Sequence, residues 1–209
     1  MTPEEVRRLL EETGALLHGH FVLSSGLHSG KYFQCAKVLS WPSRAALLGS
    51  AIGGLWQEDA IDVVVGPALG GILIAHEVAR SLGVRCLFTE RVDGKMALRR
   101  GFAVESGERA LVVEDVVTTG GSAREVVELL EASRASVAGV TAIVWRSPRA
   151  ASEATLGAKA EPPLGSVPFR ALWEIPVDAR ASADCPQCRE GKPFEKPGSR
   201  TLAAGARKV

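Results

Sequence analysis

The chain has 209 residues, 46% of them hydrophobic, with 25 Lys and Arg against 24 Asp and Glu for a net charge of +1. That length supports one sizeable core, or a core plus a small subdomain, and near-neutrality supplies no global attraction to nucleic acid or to a membrane surface. The acidic start Met1-Thr2-Pro3-Glu4-Glu5 lacks the basic n-region and apolar stretch of a secretory signal, and no apolar run reaches membrane-spanning length. Four cysteines at unpatterned spacing do not make a disulfide framework, so a reducing cytoplasm is the expected setting.

Thr2-Pro3-Glu4-Glu5 puts Pro at the first helical position with capping-box spacing, which predicts a helix to about Leu10–Thr13 with Val6, Leu9 and Leu10 inward and Gly14 as its break. From Phe21 to Gln34, two short extended pieces flank a Ser/Gly turn and read as a hairpin carrying Tyr32 and Phe33. On residues alone, that aromatic pair reads as ordinary packing. Ser43 to Trp56 is helical, with Ala46, Leu47, Ile52, Leu55 and Trp56 expected to face the core. Ile61 to Val65 is a buried strand ending in Gly66-Pro67-Ala68-Leu69-Gly70-Gly71, and a helix follows from Ile72 to about Ser81, closed by Gly83. Such a loop is either a tight βα turn or a backbone anion cradle.

Val84 to Thr89 is the next strand. Glu90 to Gly101 is charged and weakly apolar, with Arg91, Asp93, Lys95, Arg99 and Arg100 around two glycines, and reads as a solvated loop. The apolar run Leu111-Val112-Val113 lacks alternation, as in a strand covered on both faces, and leads into Glu114-Asp115, Val116-Val117 and then Thr118-Thr119-Gly120-Gly121-Ser122. Ser122 with Glu125 gives capping-box spacing for a helix to about Ala132, so the turn offers amides, hydroxyls and the positive end of a helix dipole to a phosphate. A Walker loop is excluded, because no lysine lies between Thr118 and Ser122. A strand over Val137–Val144 delivers Arg146 to the sheet edge where parallel α/β proteins bind ligands. Ser147 to Pro168 is an Ala/Pro/Gly-rich connection, and Phe169 to Ile175 a further strand. In the tail, Cys185-Pro186-Gln187-Cys188 is half of a zinc site with no histidine near it in sequence. A tetrahedral set would need Cys35, Cys86 or another subunit, so the tail is expected to be reduced and irregular, packed on the domain.

Acids followed by an uncharged hydroxyl-and-glycine turn suit a ligand with both sugar hydroxyls and a phosphate, and residues 111–122 resemble the phosphoribosyl pyrophosphate motif of the type I phosphoribosyltransferases. The segment around Ser25-Gly26, Ser29 and Tyr32-Phe33 resembles the N-terminal hood of the orotate phosphoribosyltransferases, and Lys31 to Lys37 with the C-x-x-C tail resembles a branch of them that includes thermophilic members. The resemblance runs from about Phe21 through Arg146. It implies an α/β fold with a central, mainly parallel sheet flanked by helices, one domain over 1–209. Within it come a hood at about 14–40, a core at about 43–175 and an irregular tail from 176.

It further implies transfer of phosphoribose from phosphoribosyl pyrophosphate to orotate in a cytoplasmic homodimer, with Mg²⁺ reached through substrate and waters. Glu114 and Asp115 would hold the ribose hydroxyls, Thr118, Thr119, Gly120, Gly121 and Ser122 the 5′-phosphate, and Ala68, Leu69 and Gly70 the pyrophosphate. Arg91 and Lys95 match a mobile basic loop, with Lys95 contacting the departing pyrophosphate. Tyr32, Phe33 and Arg146 would face orotate. The chain departs from the better-known bacterial and yeast members at Ser24, Leu69-Gly70, Val92 and Ala97, where those carry three cationic contacts and a histidine; His28, Lys31, Lys37, Arg99 or Arg100 are candidates to compensate. The rival expectations are transfer to a purine or other base, and a regulator that binds the donor without turnover. No helix-turn-helix or basic stripe supports the latter.

Overall fold

The structure is a computed structural model in which residues 1–23, 25–147, 164–176 and 178–197 are described. Most of the 147–168 connection, and Ser24, lie outside them.

Helix α1 (Pro3–Glu12) begins with the expected capping box: the Glu5 amide donates to the Thr2 hydroxyl and the Thr2 amide to the Glu5 carboxylate. Val6 and Leu10 are fully buried on its inner face. Strands β1 (Leu16–Val22) and β2 (His28–Phe33) form the hairpin, pairing Leu16 with Phe33 and Val22 with His28, so the first strand starts five residues before Phe21. A short helix α2 (Ala36–Leu39) precedes α3 (Pro42–Trp56).

The buried face of α3 differs from the expected one. Ala45, Leu48, Gly49, Ile52, Gly53 and Trp56 face inward, whereas Leu47 and Leu55 are exposed and Ala46 is half-buried. The reason lies in α4 (Gly70–Leu82). A Cβ on Gly49 would stand 2.5 Å from the Glu77 Cβ, and one on Gly53 2.6 Å from the Ser81 Oγ. Glycines thus bring the two helices together, and the rotation that seats them turns Leu47 and Leu55 out.

The main sheet contains β3 (Val63–Pro67), β4 (Arg85–Val92), β5 (Lys95–Leu98), β6 (Arg109–Val117), β7 (Ser136–Ser147) and β8 (Phe169–Pro176). Their order across it is β5-β4-β3-β6-β7-β8, all parallel except the edge strand β5. Residues of α1 to α4 fill one face, and α5 (Gly121–Ala132) covers the other through Ala123, Val126, Val127 and Leu130. Strands covered on both faces explain the unbroken apolar run Leu111–Val113, all 0% exposed.

A second, antiparallel sheet joins β1 and β2 to β9 (Ala179–Arg180) from the tail. Beyond β9 the tail holds a single 3₁₀ turn (Ser182–Asp184) and one helical turn, α6 (Pro186–Arg189), before Glu195 bridges to Phe21.

Candidate active site

Two loops meet where the strand order reverses. The chain leaves β3 through α4 toward β4 on one side and leaves β6 through α5 toward β7 on the other, so the carboxyl ends of β3 and β6 flank the crevice in which open α/β sheets bind ligands. From β3 come Ala68 and Leu69, joined by a cis peptide bond, and Gly70, where α4 starts two residues earlier than expected. The Leu69 side chain is 83% exposed, so the loop presents backbone to the crevice and its side chain to solvent. A Cβ on Gly70 would lie 2.7 Å from the Asp115 Oδ2, and one on Gly71 2.9 Å from the Val113 carbonyl oxygen. Both glycines are therefore required for the two loops to touch.

β6 runs on through both acids to Val117, and Thr118 and Thr119 bend the chain away from the sheet. The helix after them is not capped as expected. Gly120, at φ 74°, is the N-cap of α5, no side chain caps it, and Ser122 lies within the first turn. Glu125 instead takes the Arg91 guanidinium. The amides of the first turn are left without a side-chain partner, as an anion site requires.

Glu114 and Asp115 are half-buried. Burial raises the pKa of both, and for Glu114 the neighbouring Asp115 charge raises it further. The Val116 amide donates to the Asp115 Oδ1 at 2.8 Å, which opposes the rise. Two desolvated carboxylates side by side favour a cation or hydroxyl donors between them. Cys35, at the end of the hood, is buried and close enough to both acids that their charges add to burial in pushing up its thiol pKa.

Arg146 is 7% exposed and donates to the Ser29 hydroxyl at 3.2 Å. Among the described residues no carboxylate stands within ion-pair distance of it, and burial lowers its pKa. A buried guanidinium with one neutral partner is suited to an anionic, planar ligand. Tyr32 lies between the two halves of the site: burial and the Asp115 charge raise its pKa while Arg146 lowers it. Its neighbour Phe33 is a core residue, packed against Trp173 at 5.8 Å with the Arg146 guanidinium 6.0 Å from its ring. Only its backbone remains for a ligand.

The basic segment is a hairpin rather than an irregular loop. Asp93 and Gly94, with φ 50° and 83°, turn β4 into β5 and pair Val92 with Lys95. Arg91 forms a two-pronged pair with Glu125 at 2.9 and 2.8 Å, so the hairpin lies on α5 with Lys95 exposed. Arg100 is held by Glu90 at 3.1 Å. Ser29, one of the hood-motif residues, meets Arg146 in a contact that has no sign in the sequence, and neither has the approach of Cys185 and Cys188 to His20 and His28. Cys35 and Cys86 take no part there; burial pushes the Cys86 thiol up to about 11.

A parallel sheet with a glycine loop and an acid-then-hydroxyl loop at one switch point defines a phosphoribosyltransferase, and residues 35–156 match the phosphoribosyl transferase domain: the chain belongs to this family. The relatives it resembles are orotate phosphoribosyltransferases. That of Pelotomaculum thermopropionicum is 49% identical over 202 residues, 97% of this chain and 100% of its own length; that of Caldicellulosiruptor bescii is 46% identical over 96% of this chain and 99% of its own. The crystal structure of orotate phosphoribosyltransferase from Aeropyrum pernix matches with a TM-score of 0.63 at 27% identity, over 81% of this chain and 93% of that one.

Proposed function

We propose that the protein transfers the 5-phosphoribosyl group of phosphoribosyl pyrophosphate to orotate, giving orotidine 5′-phosphate and pyrophosphate in pyrimidine synthesis. The observation that carries this reading is the buried Arg146 guanidinium at the carboxyl end of β7, whose hydrogen bond goes to the neutral Ser29 hydroxyl and whose nearby Asp178 charge forms no ion pair with it. An acceptor bearing a carboxylate fits it, and a neutral purine does not.

The 5′-phosphate is taken by the amides of the α5 first turn and the hydroxyls of Thr118, Thr119 and Ser122, and the pyrophosphate by the backbone of Ala68, Leu69 and Gly70. Glu114 and Asp115 accept from the ribose hydroxyls. As the orotate ring nitrogen forms its bond to the anomeric carbon and gives up its proton to the departing diphosphate or to water, the bond to pyrophosphate breaks and its electron pair leaves with the diphosphate. Positive charge then builds on the ribose ring, where two preoriented carboxylates stabilise it without reorganisation. Mg²⁺ would suit this oxygen-rich set: Glu114 and Asp115 would hold it by way of bound substrate, and it would supply charge neutralisation on the leaving group. Arg91 and Lys95 cover the diphosphate when the hairpin leaves α5, which excludes water from a donor that would otherwise hydrolyse. The working unit is a cytoplasmic homodimer, a reading supported by the family's sharing of this segment between subunits. No described helix is long and apolar enough to cross a membrane.

The test follows orotate absorbance after adding phosphoribosyl pyrophosphate and Mg²⁺, with pyrophosphate counted in parallel. Loss of orotate matched by pyrophosphate supports the reading. Preferential use of adenine, hypoxanthine or uracil transfers it to another base, and tight donor binding without turnover on any base makes the protein a regulator.

A further inference from the structure

One cluster of metal-binding groups lies apart from the substrate crevice, where the tail meets the hood. His20 on β1, His28 on β2, Cys185 at the N-cap of α6 and Cys188 within that turn each bring one ligand atom to within 4.8 Å of all the others. His20 and His28 are buried, as is Cys185, and Cys188 is half-buried. We propose that these four residues bind one Zn²⁺ that fastens the C-terminal tail to the hood.

Of the six ligand-to-ligand distances, three already match a zinc tetrahedron, one is short, and the two from Cys185 to His28 and Cys188 lie within 4.8 Å. Zinc bonds of about 2.3 Å to sulfur and 2.0–2.1 Å to nitrogen give ligand-to-ligand edges of roughly 3.3–3.8 Å. The Cys185 Sγ lies 3.4 Å and the Cys188 Sγ 3.5 Å from the His20 Nε2, and the Cys188 Sγ lies 3.3 Å from the His28 Nδ1. The two ring nitrogens, 2.7 Å apart, need to open by about 0.6 Å to reach the same range.

The surroundings supply what such a site needs. The His20 Nδ1 faces the Lys192 carbonyl oxygen at 2.9 Å, so that nitrogen carries the proton and Nε2 turns its lone pair to the cluster. Phe194 stands edge-on to both imidazoles, at 5.9 and 5.5 Å, and shields them from water. Two sulfurs and two imidazoles in a closed set match a structural zinc site, with both thiols giving up their protons on binding.

The site reaches the crevice through the backbone. His28 pairs with Arg180 and Ser29 with Ala179 between β2 and β9, and Ser29 is the residue that takes Arg146. The clip therefore holds the strand that positions the acceptor-binding arginine. This consequence rests on the orotate reading; the metal site itself does not.

The experiment measures zinc by elemental analysis in the full chain purified under reducing conditions, with the spectrum of the Co²⁺-exchanged protein. About one zinc per chain is expected, together with intense visible bands of tetrahedral Co²⁺ and thiolate charge-transfer absorption. His28→Ala and the double change Cys185→Ser with Cys188→Ser should lose both, while His28→Cys, which keeps a ligand, retains zinc. Metal-free protein with all thiols free, a Cys185–Cys188 disulfide, or undiminished zinc in His28→Ala would each overturn the site. In the wild-type protein stripped by a chelator, the orotate KM should rise by about threefold or more with kcat nearly unchanged. An unchanged KM beside a confirmed zinc would remove the positioning role alone.

Discussion

Replacing Arg146 by Met should move activity and stability in opposite directions. In the free protein the guanidinium is 7% exposed, with one hydrogen bond to Ser29 and a ring contact to Phe33 at 6.0 Å. Losing those interactions costs about 1 kcal/mol for the hydrogen bond and 0.5–1 kcal/mol for the ring contact. Against that, a buried guanidinium that makes no ion pair among the described residues carries a desolvation penalty of several kcal/mol, which the more distant Asp178 charge offsets only in part. The net effect is neutral to stabilising by about 1 kcal/mol, a rise in Tm of up to about 4 °C for a chain of this size.

With an anionic acceptor bound the balance reverses. Removing one member of a buried, hydrogen-bonded charge pair costs about 2–5 kcal/mol, which lowers kcat/KM for orotate by about 30-fold to several thousand-fold. Arg146→Lys should recover little of this, since an ammonium cannot reproduce the planar fork. Steady-state kinetics and a thermal melt of the same preparation provide the check. Methionine at 146 with kcat/KM within threefold of wild type would refute the acceptor role, and a Tm several degrees lower would mean that the guanidinium holds the hood down instead.

Asp115→Asn should lower kcat by about 10²–10³-fold, as expected for a lost transition-state charge partner. Its folded pKa is raised, and so is that of Glu114, so the folded state holds their protons more tightly than the unfolded one; the contribution of these two groups to apo stability is greatest below the ordinary carboxylate range and is lost as pH rises through the folded values. Asp115→Asn and Glu114→Gln should flatten that decline in a series of melts against pH, and a steeper decline would contradict the sign. Gly70→Ala drives a methyl to 2.7 Å from the Asp115 carboxylate and should depress kcat with Tm nearly unchanged, because the position is exposed. Gly139→Ala has the reverse profile: its Cβ would stand 2.1 Å from the Trp56 Cη2 and 2.7 Å from the Pro168 carbonyl oxygen, and overpacking of that kind costs about 1–3 kcal/mol or more, read as a lower denaturation midpoint. Lys95→Ala should slow turnover without altering the melt, since the side chain is exposed on β5.

What the sequence disclosed follows the range of the interactions involved. The acid pair and the turn after it are contiguous, and an apolar run into two carboxylates can be read in a window of a dozen residues. The glycine loop after β3 is equally local. The buried face of α3 was displaced because hydrophobicity gives no weight to Gly49 and Gly53, the residues that decide how α4 docks. The β4–β5 hairpin has a local signal in Asp93-Gly94, which favours a turn with two positive φ values, while the charges around it give the segment the composition of a solvated loop. The approach of His20 and His28 to Cys185 and Cys188 has no local sign, since more than 150 residues separate the pairs and they meet through the packing of the tail on the hood, by β9 on β2 and by Glu195 beside Phe21.

That contrast in range also runs through the site as proposed, with its donor and acceptor halves. The donor half is made of two short loops on the central strands, each complete within about ten residues and fixed by the glycines that let the loops touch. The acceptor half is assembled from three distant parts of the chain: Tyr32 from the hood, Arg146 from the end of β7, and the tail strand that pairs with the residues bearing Ser29. Changes in hood or tail can therefore alter which base is accepted while leaving the grip on the phosphorylated sugar intact. Changes at Gly70 or Gly71 act on the donor half, because both glycine contacts bear on the strand that carries the acids.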